Sequence, residues 1–345
     1  MPGPAPVVLA YSGRPDSGAA IGRLSAAAGA PVVTVTLDLG QGADLEQIAA
    51  DARHHGALRA HVVDAREAFA ADVLLPALRA GATGAGVGVR AAALARPTLV
   101  KALVDIAKME GATRVAHGAS GDDRRAMDLL LSELAPDLSV VGVAADSGGP
   151  SEPAVAANLW GRTVTVPSGV DPETLPASLL YERTSQPAAC QALPATVELT
   201  FERSLPVAVN GIAMPFVEIV EVVETIAGDH GVGRRDTSLA SGVREISEAP
   251  AAVTLGLALA EIERTTLAPR LAALKASLSW AYAAAIDDGA WFSTSRTALD
   301  AFVAAASAGV SGVVRVQLFR GECRVAEPDT TAAVGPHLSS VEAGL

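Results

Sequence analysis

Residues 10–18 read AYSGRPDSG, and they close an apolar run that begins at Val7 and open an amphipathic stretch at 17–28. A glycine-bearing turn between a strand and a helix aims backbone N–H groups and a helix N-terminus at an anion, so phosphate is held there without a dedicated cation. Ala10, Tyr11, Ser12, Gly13, Arg14, Asp16, Ser17 and Gly18 are the residues of this candidate anion loop. The GxxxxGK[ST] pattern of the other common phosphate loop is absent. Taken alone, the stretch is equally a plain strand-to-helix turn in which Asp16 or Ser17 caps the helix.

Outward from this turn the first half alternates short β-branched runs with amphipathic stretches, the pattern of a parallel sheet covered by helices. Strands are expected at 7–11, 32–37, 58–63 and 113–117, with a further run at 138–144, and helices at 17–28, 44–55 and 96–107. Ligands of such sheets bind beyond the carboxyl ends of the strands. The loops after Tyr11, Leu37 and His117 are therefore the places to look. DSGGPSEP at 146–153 breaks the pattern. Beyond it, 197–202 and 207–209 alternate as a hairpin around SLP, 217–227 is helical, and 251–287 is helical with a break near Pro269. The run 312–319 alternates again, with Arg315 on its polar face. The expected fold is α/β: a parallel-sheet nucleotide-binding domain at 1–165, a second α+β domain at 166–326, and an irregular tail at 327–345.

Composition bounds the function classes. The chain has 345 residues, half of them hydrophobic, and a formal charge of −12. That length supports two domains with full cores. The acidic balance argues against a phosphate-tracking nucleic-acid binder. No apolar run approaches the length of a membrane span, and the first residues carry no basic segment, so a cytoplasmic location with no membrane partner is expected. Cys190 and Cys323 have neither disulfide-framework nor zinc spacing and read as free thiols.

The loop matches the SGGxDS element of the ATP pyrophosphatase superfamily (adenine nucleotide alpha hydrolase-like) at Ser12, Gly13, Asp16 and Ser17, and departs from it at Arg14. Further segments resemble the argininosuccinate synthase family in family order. They are TLDLGQG at 36–42, LARPTLVK at 94–101, EGATRVAHGASG at 110–121, NLWGR at 158–162 and PVAVNG at 206–211. HGVGRRD at 230–236, EAPAA at 248–252, DDGAWFSTSRTALDAF at 287–302 and VSGVVRVQLFRGE at 310–322 complete the series. In that family the ureido oxygen of citrulline attacks the α-phosphorus of ATP, and the aspartate amine then displaces AMP. The resemblance therefore implies ATP and Mg²⁺ as cofactors, with Asp16 reaching the metal of Mg–ATP and Leu37 and Gly118 bordering the adenosine. Positioning and charge stabilisation carry such chemistry, and no covalent protein nucleophile is needed. No catalytic residue is assigned.

The substrate side departs from the family. Its residues carry over to Arg96, Ser120, Arg124, Arg125, Asp128 and Thr163, where GDDRRAMDLL stands in place of GKGNDQVRFE. Arg124 and Arg125 occupy the Asn-Asp positions, and Asp128 occupies the position of an arginine that holds citrulline. Gly88 and Ala93 replace a Tyr and a Ser, Ala154 replaces a later Ser, and Ser247 stands in a Tyr position. A helix-sized piece of the family sequence is missing between Ala145 and Ser151, and a long C-terminal assembly helix is missing after Leu345. The expected state is thus a homodimer acting on small-molecule substrates. The expected function is an AMP-forming C–N ligase with altered substrates, suited to specialised biosynthesis; the alternatives are an inactive paralogue that binds or regulates, and a true argininosuccinate synthase. His117 reads as either a hydrogen-bonded structural residue or a catalyst. His54 and His55 read as a solvated helix end, and DDRR at 122–125 as an ion-paired surface turn, with an anion site as its sharper reading.

Overall fold

The computed structural model describes residues 4–13, 15–84, 88–143, 152–190, 192–238 and 242–326, with the backbone alone at Pro15 and Asp16. The first half runs β1 (Val7–Ala10), α1 (Pro15–Ala28), β2 (Val32–Asp38), α2 (Leu45–His54) and β3 (Arg59–Asp64). It continues through α3 (Arg66–Phe69), a π-type turn (Ala70–Leu74), α4 (Leu75–Arg79), α5 (Ala91–Glu110), β4 (Arg114–His117), α6 (Gly121–Leu134) and β5 (Ser139–Gly142). The five strands form one parallel sheet in the order β3-β2-β1-β4-β5.

Helices cover both faces, and the central strands β1 and β2 are buried nearly throughout. Val7 and Leu9 pack with Ile21, Leu24 and Ala52 of α1 and α2 on one face. Val8, Val33 and Val35 pack with Leu94 and Leu103 of α5 and Leu130 of α6 on the other. From β1 the chain builds outward through β2 to β3, then returns across the sheet to β4. The strand order therefore reverses between β1 and β4, and the crevice at their carboxyl ends is the place where open α/β sheets bind ligands.

The second half contains β6 (Ala154–Asn158), β7 (Gly161–Val166), α7 (Ala177–Leu180), β8 (Ala195–Glu202), β9 (Leu205–Val209), β10 (Ile212–Ala213) and α8 (Phe216–Asp229). β11 (Arg234–Ser238), β12 (Arg244–Glu248), α9 (Pro250–Thr266), α10 (Pro269–Asp287), α11 (Thr294–Ser307), β13 (Gly312–Phe319) and β14 (Glu322–Val325) follow. Its strands make two antiparallel sheets, β10-β9-β8-β13-β14 and β11-β12-β7-β6. The break expected near Pro269 falls between α9 and α10, where Pro269 takes the first helical position and its missing N–H costs nothing. Arg315 is exposed on β13 and pairs with Glu198 at 3.0 Å, as the alternation predicts. The expected boundary after residue 165 falls at the end of β7.

Several local expectations need correction. α1 begins at Pro15, so Asp16 and Ser17 lie in its first turn rather than at its cap. Proline is preorganised for that first position, and it moves the helix start upstream. α5 starts five residues before Arg96, because the alanines at 91–93 and 95 extend the helix at little cost ahead of Pro97. DDRR is not a turn but the opening of α6, a stretch in which Asp122 and Asp123 suit the positive end of the helix dipole. The hairpin β6–β7, the pair β11–β12 and the helical run from Arg66 to Arg79 have no counterpart in the sequence reading. α2 ends at His54 with His55 as its cap, as expected, and the thiols of Cys190 and Cys323 are free.

Candidate functional site

The loop after β1 is fixed by backbone before any ligand is considered. The Tyr11 N–H donates to the Val35 carbonyl at 2.9 Å, and the Thr36 hydroxyl donates to the Tyr11 carbonyl at 3.0 Å. Gly13 has φ +73°, and a Cβ there would stand 2.7 Å from Cγ1 of Ile48 on α2. Only glycine satisfies both the left-handed backbone and that approach. A Cβ at Gly18 would meet the exposed His55 ring at 2.7 Å, so a side chain there would displace that ring. Arg14 and the side chain of Asp16 lie outside the described residues.

The loop after β2 is likewise self-braced. Leu37 is buried, and its carbonyl accepts from Nε2 of Gln41 at 2.6 Å while Oε1 of Gln41 accepts from the Leu39 N–H at 2.7 Å. Asp38 accepts from the Gly40 N–H at 2.9 Å. The second half holds this loop from behind. Leu159 donates its N–H to the Leu39 carbonyl at 2.6 Å, and Arg183 reaches the Gly40 carbonyl at 3.5 Å and the Asn158 carbonyl at 2.8 Å. Arg183 also pairs with Glu224 at 3.3 Å. Burial pushes the Glu224 carboxyl above the usual carboxylate range, against the pull of the Ala251 N–H and of Arg183.

Behind Arg183 lies a fully buried carboxylate, Glu248. It accepts from the backbone N–H groups of Glu182, Arg183 and Thr184 at 2.9 to 3.0 Å, from the Thr184 hydroxyl at 2.6 Å and from Arg162 at 3.3 Å. A buried charge is tolerated only with such complete hydrogen bonding.

Across the switch point, β4 ends at His117 and the chain passes Gly118 and Ser120 into α6. Among the described residues, a Cβ at Gly118 would have no heavy atom within 4 Å beyond its chain neighbours. Ser120 precedes α6 without capping it by its side chain. His117 is buried, with Nε2 3.0 Å from Oδ1 of Asp128, and its Nδ1 is buried with no partner among the described residues. Arg124 stands 3.6 Å from the other oxygen of Asp128, Arg125 pairs with Asp122, and Arg96 pairs with Asp123 while donating to the Asp287 carbonyl at 3.0 Å. The charges at the start of α6 thus answer one another.

Thr163 reaches the same region from the second half. It lies opposite Ser247, which in turn lies opposite Arg235, so the three share one face of the sheet β11-β12-β7. Nη1 of Arg235 stands 4.0 Å from where a Cβ at Gly88 would be, just ahead of α5. This face therefore turns toward the start of α5, and the crevice is walled by both halves. Arg90 and Arg235 belong to that wall and were not singled out from sequence; the doubled arginine in HGVGRRD was the available signal.

Two family models match end to end, the "Arginosuccinate synthase N-terminal HUP domain" over residues 6–152 and the "Arginosuccinate synthase C-terminal domain" over 154–341. The chain belongs to the argininosuccinate synthase family. A protein of that name from Rubrobacter xylanophilus is 37% identical over 346 residues, covering 93% of this chain and 84% of its own length. The argininosuccinate synthase of Dehalococcoides mccartyi is 37% identical over 345 residues, covering 92% and 85%, and that of Brevibacillus brevis is 34% identical over 365 residues, covering 98% and 87%. The parallel five-stranded sheet is the HUP domain of the argininosuccinate synthase family, and the antiparallel sheets belong to its C-terminal part. Among the described residues no helix is long and apolar enough to cross a membrane.

Proposed function

We propose that this chain is an ATP-dependent, AMP-forming C–N ligase of the argininosuccinate synthase type whose substrates differ from citrulline and aspartate, as suits specialised biosynthesis. The observation that carries the reading is Asp128. It stands where the family resemblance expects an arginine, and it is bonded to His117 and faces Arg124. A carboxylate at that point repels the substrate carboxylate that an arginine would hold.

The residues present fit a nucleotide. Gly13 keeps the loop after β1 open as backbone, α1 starts directly behind it, and Leu37 and Gly118 flank the crevice. Ser12, Gly13, Ser17 and Gly18 are the proposed phosphate contacts, with Ala10 and Tyr11 leading into the loop and Asp16 as the proposed Mg²⁺ contact. Bound Mg–ATP supplies an electrophilic phosphorus and a neutralised leaving group. The protein's part is to orient the acceptor from the α5–α6 side and to keep the crevice closed to water. Arg96, Ser120, Arg124, Arg125 and Thr163 are the proposed substrate-side residues.

ATP–pyrophosphate exchange over a panel of ureido, amide and carboxylate acceptors tests the reading. Exchange with an acceptor other than citrulline is expected. Rescue of an arginine auxotroph lacking the synthase would sink the claim of altered substrates. A second reading, a binding protein without catalysis, is favoured by Pro15, which removes one N–H from the first turn of α1. Exchange with no acceptor at all would support it. A cytoplasmic homodimer completes the proposal. Leu274 and Trp280, exposed on α10, are apolar side chains that a second copy would cover, and light scattering that gave a monomer or a tetramer would overturn that state.

A further inference from the structure

Gly88 precedes α5 with φ +92°, and a Cβ there would find, beyond its chain neighbours, two heavy atoms of the described residues within 4 Å. They are Nη1 of Arg90 at 3.4 Å and Nη1 of Arg235 at 4.0 Å. One guanidinium comes from each half of the chain. Among the described residues, two cations flank this position.

The two arginines are held differently. Arg90 is largely buried, and its Nε donates to both oxygens of Asp287 at 3.0 and 2.8 Å while Nη1 makes long contacts to the Gly88 and Ala82 carbonyls at 3.4 and 3.5 Å. Its backbone is left-handed at φ +54°, a conformation that costs a non-glycine residue about 1 to 2 kcal/mol and that the contacts of its side chain help to hold. Arg235 is exposed, and its Nε donates to the Thr237 hydroxyl at 3.2 Å. No described carboxylate pairs with it. Asp236, its chain neighbour, is committed to Arg244 at 2.6 Å, and Glu245, on the same sheet face, makes no ion pair with Arg235.

Among the described residues, Arg90 pairs with Asp287 and Arg235 with no carboxylate, so a cationic pair faces the space over Gly88, a place suited to a singly charged oxyanion. Guanidinium groups match the planar fork of a carboxylate and take it in paired hydrogen bonds. We propose that Arg90 and Arg235 clamp a carboxylate over Gly88, the recognition point for an acid-bearing substrate. The assignment of that carboxylate to a substrate rests on the ligase reading above; the clamp itself rests on the two guanidinium groups. Arg90 is the preset jaw, and Arg235, exposed and on the sheet of the other half, is the jaw that closes.

The test uses the full chain and the variants R235Q and R235K, with acetate and inorganic phosphate as probes in thermal unfolding at constant ionic strength. Arg235 is exposed, so its replacement leaves the core intact. Acetate is expected to stabilise the unmodified protein, with the half-effective concentration raised at least tenfold in R235Q and less in R235K, which keeps the charge without the fork. Equal stabilisation of all three proteins, or none, would overturn the clamp. Stronger Arg235-dependent stabilisation by phosphate than by acetate would overturn the choice of carboxylate. In pyrophosphate exchange, R235Q is expected to raise KM for a carboxylate-bearing acceptor and to leave KM for ATP unchanged. Exchange that fails with every acceptor, while acetate binding still depends on Arg235, would remove the ligase reading and leave the clamp standing.

Discussion

The two walls of the crevice are made of different material. On the β1–β2 side the shape is set by backbone: Gly13, Gly40 and Gly42 at positive φ, and carbonyls and N–H groups held by Thr36, Gln41 and Asp38. On the α5–α6 side it is set by charged side chains paired with one another: Arg96 with Asp123, Arg125 with Asp122, and Asp128 with His117 and Arg124. A wall of backbone dipoles offers the same surface whatever the neighbouring side chains become. A wall of charges changes its ligand with each substitution. The departures read from sequence at Arg124, Arg125 and Asp128 fall on this second wall.

The comparison breaks most easily at Gly13. Gly13→Val is expected to abolish ATP binding by calorimetry, at least a hundredfold, because the side chain meets Ile48 and cannot share the left-handed backbone. Adding Ile48→Ala relieves the contact but not the dihedral, so recovery should be partial; full recovery would show that the backbone conformation is not required. Asp16→Ala is next, with Mg–ATP affinity expected to fall by a few kcal/mol, as for removal of a ligand to a metal-bound phosphate. Unchanged affinity would take Asp16 out of the metal's surroundings. On the other wall, Asp128→Ala should leave ATP affinity within about twofold while changing the preferred acceptor in pyrophosphate exchange, since side chains there are read by the substrate alone. A parallel loss of ATP affinity would mean the two walls are not separable.

The smallest effect is a control away from the crevice. Arg59, by hydrogen bond and charge, holds the Glu110 carboxyl below the usual carboxylate range, with His61 adding to it. A lowered acid contributes stability above its unfolded value, and that contribution is lost as pH falls through its folded value. The Tm gap between the unmodified protein and Glu110→Gln should therefore be full at neutral pH, begin to shrink near the ordinary glutamate value of about 4.3, and close as pH falls through the lower folded value. A gap that widened on acidification would contradict the sign.

The central strands of the first sheet were legible because burial leaves them as short apolar and β-branched runs, VVLA and VVTVTLD, and the turn after β1 because its glycine and serines follow directly on one of them. The hairpin β6–β7 was not, since AVAAN and GRTVTV are short and mixed, and the pairing of β7 with β12 is a contact across about eighty residues. α6 was missed for the opposite reason. Its charged opening looks like a solvated turn until the spacing of Ala126, Met127, Leu130 and Leu131 is laid on the core. Arg90 and Arg235 lie far apart in the chain, and no local pattern brings them together.

Glu248 carries a consequence for the order of assembly. Its donors come from residues 162 and 182–184, and the same segment sends Arg183 to the Gly40 loop. The sheet of the first half can close on its own apolar faces as it leaves the ribosome. The loop after β2 braces itself locally, but it gains its contact with Arg183 only once a strand made two hundred residues later delivers the carboxylate that holds that segment. The loop after β2 should thus be the last part of the first half to gain full protection from hydrogen exchange, and it should gain it in step with β12 rather than with the strand it follows.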